Sequence, residues 1–226
     1  VLLKAMKNHG IKHIVFSSTA ATYGESKKVP IEEDDGTIPT NPYGETKLTM
    51  EHMMKWCVSA YDMSFVALRY FNACGAHPNG LIGELHNPET HLIPIILQVA
   101  LGQREAINVF GNDYDTKDGT CIRDYIHVCD LADAHIKALN YLLDGNPSQI
   151  INLGNGEGYS VLDIINAVKE VTKKDIKVNI CERRAGDPAK LIANNKKALN
   201  ILEWSPRYTD INQIIFTAWN FYTNRK

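Results

Sequence analysis

Two side chains that can act together on a substrate hydroxyl are Tyr43 and Lys47, which lie four residues apart in the segment 41–47. Pro42 cannot continue a preceding helix but suits a first helical position, and residues 48–58 contain no glycine or proline. The sequence therefore predicts a helix that begins here. Residues at this spacing lie on one face of a helix, so the phenol and the ammonium can serve one site.

The chemistry open to Tyr43 depends on the pKa of its hydroxyl. A phenol has a pKa of about 10, so only about one in a thousand is ionised near neutral pH. A unit charge at about 4 Å, with an effective dielectric constant near 20, contributes roughly 4 kcal/mol, or about three pKa units. Lys47, helped by a second cation, would make Tyr43 a general base. The alternative is a capping aromatic beside a solvated lysine, because this spacing is common by chance.

Two predicted strands, residues 12–17 and 65–70, flank this helix. Both are short and apolar, as buried strands are. A strand–helix–strand order implies a parallel βαβ unit, and ligands bind at the carboxyl ends of the strands in such sheets. We therefore expect the side chains at the element ends, Thr19, Tyr43 and Asn72, to converge at one edge of the sheet.

The remainder of the chain alternates in the same way, which indicates an α/β fold. The predicted elements are a helix over 92–102, a strand near 107–110, a helix over 131–143 capped by Asp130, a strand over 149–153, a helix from Ser160 to about 173, a strand over 176–181 and a helix from about 211. Gly154-Asn155-Gly156-Glu157-Gly158 follows a strand but lacks the third glycine of G-x-G-x-x-G, so we interpret it as a turn.

Two downstream loops carry arginines suited to a diphosphate, at Arg123 and Arg184. Guanidinium groups bind phosphate through two parallel hydrogen bonds, so two of them from separate loops can clamp a diphosphate. The alternative is that each arginine forms a structural ion pair, with Asp124 or Asp187.

Composition excludes several functional classes. The 226 residues include 44% hydrophobic and 22% charged residues, and the net charge of −2 argues against a nucleic-acid surface. No apolar run reaches the roughly 18 residues of a membrane helix. Five cysteines without a C-x-x-C motif favour reduced thiols in a cytoplasmic protein. The eight histidines show no ligand spacing, so we expect no metal site.

The chain begins in a helical pattern over residues 1–9, without a starting Met or a cap. We therefore expect it to start inside a fold, with earlier strands of the sheet missing.

Several motifs occur in an order that resembles the UDP-glucose 4-epimerase family of extended short-chain dehydrogenases/reductases. They are Ser17-Ser18-Thr19-Ala20-Ala21-Thr22-Tyr23-Gly24, Tyr43-Gly44-Glu45-Thr46-Lys47, Arg69-Tyr70-Phe71-Asn72, Gly75-Ala76-His77-Pro78, Phe110-Gly111-Asn112-Asp113-Tyr114, Asp118-Gly119-Thr120, Arg123-Asp124-Tyr125-Ile126-His127-Val128, Asn152-Leu153-Gly154 and Arg183-Arg184-Ala185-Gly186-Asp187. The resemblance spans nearly the whole chain, and the stretch 118–128 is its most specific part.

The resemblance implies the C-terminal part of a Rossmann-like, doubly wound parallel sheet and a smaller α/β lobe that binds a UDP-sugar. Residues 1–75, with a return segment 126–156, would belong to the NAD-binding domain. Residues 76–226 would form the substrate lobe. The family's first hundred or so residues, which include the glycine-rich pyrophosphate turn, would be missing, so we expect no turnover by this chain alone.

The implied activity is that of an isomerase of galactose metabolism, which interconverts UDP-galactose and UDP-glucose through a 4-keto intermediate with tightly held NAD. The nicotinamide ring would be the second cation near Tyr43. The implied catalytic residues are Tyr43, Lys47 and Thr19. The implied cofactor-binding residues are Ser17, Tyr43, Lys47 and Tyr70. The implied substrate-binding residues are Thr19, Asn72, His91, Leu92, Asn108, Phe110, Arg123, Arg184 and Asp187. A cytoplasmic homodimer is also implied, with Met50, Met54 and Cys57 available to its interface.

Three positions depart from the family pattern. Thr19 stands where serine is common, but its hydroxyl can keep the role. His91 stands where asparagine is frequent. Leu191 aligns with a position whose bulk affects acceptance of N-acetylated sugars, and leucine leaves that specificity undecided.

Two rival functions stay open at this stage. One is another NAD-dependent sugar-nucleotide enzyme, such as a 4,6-dehydratase, a decarboxylase or a different UDP-sugar epimerase. Dehydratases of this superfamily carry an Asp-Glu pair just after the Thr19 position, where this chain has Ala20 and Ala21. A noncatalytic, cofactor-sensing regulator on the same fold would be expected to lose the Tyr43–Lys47 pair, which this chain retains.

Overall fold

The computed structural model describes residues 1–26 and 28–225. Its helices are α1 (Leu2–Asn8), α2 (Pro42–Tyr61), α3 (Leu92–Ala100), α4 (Val128–Leu143), α5 (Val161–Thr172), α6 (Lys196–Leu202) and α7 (Ile211–Asn224). Its strands are β1 (His13–Thr19), β2 (Ser64–Tyr70), β3 (Asn72–Cys74), β4 (Ile107–Phe110), β5 (Ile122–Arg123), β6 (Tyr125–His127), β7 (Gln149–Leu153), β8 (Tyr159–Ser160), β9 (Val178–Cys181) and β10 (Lys190–Leu191). Among these helices, none combines the length and apolar character needed to cross a bilayer.

The first sheet is parallel and has the strand order β1-β2-β7. Thr19 lies opposite Tyr70, and Tyr70 lies opposite Leu153, so all three strands end at the same edge. Side chains that alternate along the strands build a core on each face. One core takes Met54 from α2 against Phe16 and Phe65.

The opposite face of this sheet is covered by α4 and α6. Val66, Leu68 and Ile151 pack there with apolar residues of both helices and with the buried Trp204. Helices on both faces of a parallel sheet define a doubly wound α/β architecture, so the predicted fold class is confirmed. Residues 196–204 contribute to this core although they come late in the chain, because α6 packs on the same face of the sheet.

The start of α2 shows why the chain folds as predicted here. The side chain of Asn41 accepts a hydrogen bond from the backbone N–H of Gly44 at 2.9 Å, and Pro42 occupies the first helical turn. A Cβ atom on Gly44 would lie only 2.4 Å from the backbone oxygen of Ala21. Glycine at this position therefore lets the helix approach the end of β1 and places Tyr43 beside it.

A second core joins α3, α5 and α7, with Ile96, Leu97, Ile164, Val168 and Ile214 fully or almost fully buried. Three small sheets surround it: β4 pairs with β9, β3 with β6, and β5 lies between β8 and β10. These short strands link the second core to the first sheet and carry several of the predicted substrate residues.

Two predicted helix caps have different outcomes. Ser160 caps α5 in a reciprocal capping box with Asp163, as expected. The prediction for Asp130 is wrong, because α4 begins at Val128 and the side chain of His127 accepts the capping bond. The buried Asp130 carboxylate instead accepts hydrogen bonds from the backbone N–H groups of Arg207 and Tyr208, at 3.1 and 2.9 Å.

Candidate active site

Tyr43 and Lys47 lie on one face of α2, as their spacing predicts. The Lys47 Nζ atom is 5.6 Å from the centre of the Tyr43 ring and donates a hydrogen bond to the backbone oxygen of Ser17 at 2.8 Å. The Tyr43 residue is 53% exposed. The pair therefore lies at the carboxyl end of β1, where ligands bind in parallel sheets.

The surroundings of Tyr43 shift the pKa of its hydroxyl in both directions. Burial raises this pKa above its ordinary value, a hydrogen bond with the Thr19 side chain lowers it, and Tyr70 raises it again. The net direction is upward. Lys47 lies beside the ring and binds the Ser17 carbonyl, whereas Thr19 is the group that favours the ionised phenol.

A histidine that sequence analysis did not single out supports the predicted cofactor residues. The Nδ1 atom of His135 lies 2.7 Å from the Leu131 backbone oxygen and must donate to it, and in the neutral ring Nε2 then accepts from the Ser17 hydroxyl at 3.1 Å. The Tyr70 and His135 ring centres are 6.4 Å apart. Ser17 and Tyr70 therefore lie at the sheet edge that carries Tyr43.

A buried carboxylate organises the loops beside this edge. Asp124 accepts hydrogen bonds from the backbone N–H groups of Asn155, Gly156 and Ala193, at 2.7, 3.0 and 3.1 Å. Burial raises the pKa of Asp124 to about 6, although these hydrogen bonds lower it. A Cβ atom on Gly154 would lie 2.3 Å from the Asp124 carboxylate. The glycine-rich segment is thus a turn around an internal carboxylate, as predicted from its missing third glycine.

Asn72 connects the tyrosine edge to the first of the two arginine loops. Its backbone N–H donates to the Asp124 backbone oxygen at 3.0 Å, and β3 pairs with β6 through Asn72 and Tyr125. Asn72 lies only two residues beyond the end of β2. Its contact with Asp124 therefore places the adjacent residue, Arg123, near the end of that strand.

The predicted diphosphate residues come together in contact with one another. The Arg123 guanidinium lies 3.6 Å from the Asp187 carboxylate and donates to two backbone oxygens, those of Ile122 and Pro188. The Arg184 guanidinium lies over the Phe110 ring at 3.9 Å, and the Asp187 N–H donates to the Arg184 backbone oxygen. Asp187, and not Asp124, is thus the ion-pair partner of Arg123.

Other predicted substrate residues lie apart from these contacts. Asn108 accepts a hydrogen bond from Asn179 across the β4–β9 pair, and Leu191 lies opposite Arg123 in β10. Leu92 is the first residue of α3. The His91 ring contacts the carboxylate of Glu84. Glu84, His86, Glu89 and His91 place one donor atom each within 4.8 Å of the others, a grouping that the spacing of the histidines did not indicate.

Comparison with known proteins assigns this arrangement to a family. Residues 1–154 match the model of the NAD dependent epimerase/dehydratase family. The chain belongs to this family.

Individual relatives of the family agree with that assignment. The UDP-glucose 4-epimerase of Lacticaseibacillus casei is 59% identical over 99% of this chain and 67% of its own length. A crystal structure of a UDP-glucose 4-epimerase is 53% identical, with a TM-score of 0.96 over 99% of this chain and 68% of the other. The enzyme from Bifidobacterium longum, in complex with NAD+ and UDP, is 40% identical, with a TM-score of 0.94 over 99% and 67%. The chain therefore spans about two thirds of the length of these relatives.

Sequence analysis missed a buried ion pair between α2 and the sheet, next to the Tyr43 edge. Glu51 and Arg69 pair at 2.6 Å with side chains 0% and 3% exposed, and the Ser18 hydroxyl donates to Glu51 at 2.5 Å. A signal existed in the sequence, because Glu51 follows Lys47 by four residues and so shares its helix face. The pair ties α2 to β1 and β2 behind the Tyr43 edge.

Proposed function

We propose that the complete protein is an NAD-dependent isomerase that interconverts UDP-galactose and UDP-glucose. The observation that carries this proposal is the meeting of Tyr43, Thr19 and Lys47 at the carboxyl edge of the parallel sheet. The names of the relatives, which are epimerases of UDP-glucose, support the same activity. The proposal concerns the complete protein, because this chain spans about two thirds of those relatives.

The donor groups at the sheet edge fit a nicotinamide cofactor. Lys47 uses one N–H on the Ser17 backbone oxygen, which leaves two donors for the hydroxyls of a ribose. Ser17, Tyr43, Lys47 and Tyr70 would hold this part of the cofactor. NAD, when bound, supplies the hydride acceptor and donor and adds a positive charge that favours ionised Tyr43.

In this reaction Tyr43 takes the proton of the sugar 4-hydroxyl and later returns it, while Thr19 positions the same hydroxyl. Arg123, Arg184 and Asp187 bind the diphosphate and ribose, and Phe110 and Asn108 bind near the uracil. Asn72, His91 and Leu92 complete the substrate contacts. Tight binding remote from the reacting carbon leaves the hexose able to turn, which inversion at C4 requires.

Replacement of the tyrosine hydroxyl tests this proposal. We expect Tyr43→Phe in the complete protein to lower kcat for UDP-galactose by roughly 10²–10⁴-fold, the usual contribution of a general base. Tyr61→Phe, at the other end of the same helix, is the matched control and should keep wild-type activity. Full activity in Tyr43→Phe would contradict the mechanism, and accumulation of a stable 4-keto-6-deoxy sugar would instead favour a dehydratase.

We further infer a homodimer that uses the exposed face of α2. Met50, Met53 and Trp56 are 41%, 53% and 76% exposed and form an apolar strip on that face. Met54, which the sequence offered to this interface, is buried in the core against Phe16 and Phe65, so its expected role is corrected. Trp56→Lys should therefore shift the protein from dimer to monomer in light scattering coupled to gel filtration.

Residues 1–75 with 126–156 would form the cofactor lobe, and most of the remaining chain would form the UDP-sugar lobe. A cytoplasmic location fits the five cysteines, which are all thiols in the described chain. Leu191, opposite Arg123 at the sugar-nucleotide side, would influence whether N-acetylated sugars are accepted.

A further inference from the structure

The loop before α3 gathers four side chains that are common metal ligands. Glu84, His86, Glu89 and His91 lie within eight residues, and one donor atom of each lies within 4.8 Å of the other three. The His86 Nδ1 atom is 3.0 Å from a Glu84 oxygen and 3.7 Å from a Glu89 oxygen. The His91 Nδ1 atom contacts the same Glu84 oxygen and lies 3.8 Å from the same Glu89 oxygen.

One member of this cluster has a buried oxygen whose hydrogen-bonding capacity is unused. The Glu89 side chain is 1% exposed, and its Oε1 atom accepts hydrogen bonds from the backbone N–H groups of Thr90 and His91. Its Oε2 atom has no hydrogen-bond partner among the described residues. The two imidazole distances are measured to Oε1, so a cation that also satisfied the buried and unpartnered Oε2 would bind the carboxylate through both of its oxygens.

The distances within the cluster suit a tetrahedral ion. Zinc binds imidazole nitrogen and carboxylate oxygen at about 2.0–2.2 Å, which places neighbouring tetrahedral ligands roughly 3.4 Å apart. Three of the four nitrogen–oxygen separations, at 3.0, 3.7 and 3.8 Å, lie on both sides of this value, and the fourth, between His91 and Glu84, is a direct contact that would open when an ion binds. Two nitrogen and two oxygen donors favour zinc and neighbouring transition metals over magnesium or calcium, which prefer oxygen ligands alone.

Exposure provides a route for an ion to enter. The two imidazoles are 54% and 57% exposed, whereas the two glutamates beneath them are 20% and 1% exposed. The loop backbone is held from below, because the Tyr222 hydroxyl of α7 donates to the Glu84 backbone oxygen at 3.2 Å. The carboxylates are therefore anchored, and the rings can close over the ion from the solvent side.

We propose that Glu84, His86, Glu89 and His91 bind one zinc ion, which fixes the loop before α3. The site shares His91 with the substrate contacts proposed above but none of the groups around Tyr43, so zinc binding can be measured whether or not the complete protein is an epimerase. In the rival arrangement the same four residues form only hydrogen-bonded histidine–glutamate pairs, and no metal binds.

Calorimetric titration of chelator-treated complete protein with zinc chloride tests the site, with parallel titrations using magnesium and manganese. We expect one zinc per chain, weaker manganese binding and no magnesium binding. Loss of an outer-shell partner weakens metal sites about 10–100-fold, so loss of a ligand in His86→Ala should weaken zinc binding by roughly 100-fold or more. Glu89→Gln, which keeps the side-chain shape, should give the same loss.

The control is His52→Ala, which removes an exposed histidine of α2 that lies outside the cluster. It should bind zinc as the wild type does. Thermal unfolding provides a second readout, because zinc should raise the Tm of the wild type and the control but not that of His86→Ala. His86 is exposed, so His86→Ala should fold, and its metal-free Tm will verify this. Absence of zinc binding by the wild type, or equal binding by His86→Ala, would overturn the proposal.

Discussion

The two halves of the candidate active site are held in different ways. Tyr43 and Lys47 lie on a helix of 20 residues, and Thr19 ends a strand of seven residues. Arg123 lies in a two-residue strand, and Arg184 and Asp187 lie in a loop without regular structure. Proton transfer needs atoms that are fixed by long, packed elements, whereas binding of a diphosphate relies on charge and tolerates shorter supports.

The half of the site that contains Tyr43 and Lys47, called the rigid half here, depends on the buried Glu51–Arg69 pair. Loss of this ion pair gives the largest expected effect on stability. Glu51→Gln leaves the Arg69 charge buried without its partner, which should lower the free energy of unfolding by roughly 3 kcal/mol. Urea unfolding of the purified protein measures this loss. Asp62→Asn, which removes an exposed ion pair with Lys12 just after the same helix, should leave the midpoint unchanged. Equal midpoints for the two variants would show that the pair does not support the sheet edge.

Substitutions in the half that contains Arg123, Arg184 and Asp187 should weaken substrate binding more than they slow the chemical step. Arg184→Ala removes a charged donor whose hydrogen bonds are worth about 1.5–3 kcal/mol, so we expect the KM for UDP-galactose to rise roughly 10–100-fold with a much smaller change in kcat. Arg104→Ala, at an exposed arginine after α3, is the control. A fall in kcat at constant KM would place Arg184 at the reacting atoms and remove the distinction between the halves.

A smaller effect should follow from Thr19, which links the rigid half to the pKa of Tyr43. The Thr19 hydrogen bond lowers this pKa, so its loss in Thr19→Ala raises the pKa further. A base with a higher pKa is ionised only at higher pH, so the rising limb of the pH–activity profile should move towards higher pH. A neutral hydrogen bond is worth about 0.5–1.5 kcal/mol net, so the rate at neutral pH should fall roughly 2- to 10-fold. Thr19→Ser should restore both, whereas an unmoved profile in Thr19→Ala would contradict this role.

The smallest effect should come from the cap that starts α2. Asn41→Ala removes the hydrogen bond to the Gly44 N–H and should lower the free energy of unfolding by about 1 kcal/mol. Circular dichroism during thermal unfolding measures this change. Asn8→Ala, at the exposed end of α1, is the control and should leave the Tm unchanged. A loss of activity far larger than the loss of stability would show that the cap also positions Tyr43.

The parts of the site that lie on regular elements were predictable from sequence. Apolar strands, a proline at the first helical position and a four-residue spacing suffice to place Tyr43 and Lys47, because these signals are local. The pKa direction of Tyr43 was not predictable, since it depends on burial and on contacts with Thr19 and Tyr70.

Residues whose role depends on distant partners escaped sequence analysis. Asp124 was expected only as a possible partner of Arg123, yet its partners lie 31, 32 and 69 residues away. The pairing of Glu51 with Arg69 likewise requires the helix to pack on the sheet. The Glu84–His91 cluster was missed for another reason, because glutamates were not counted together with the histidines.

The hydrogen bonds of Asp124 have a consequence for inhibitors and for motif searches. Backbone N–H groups after a strand, at Asn155 and Gly156, are chemically ready to hold a phosphate, but a carboxylate of the same chain already fills them. A dissolved anion would have to compete with a tethered one, whose effective concentration is far higher. Compounds designed to place a phosphate mimic on this turn should therefore fail to bind.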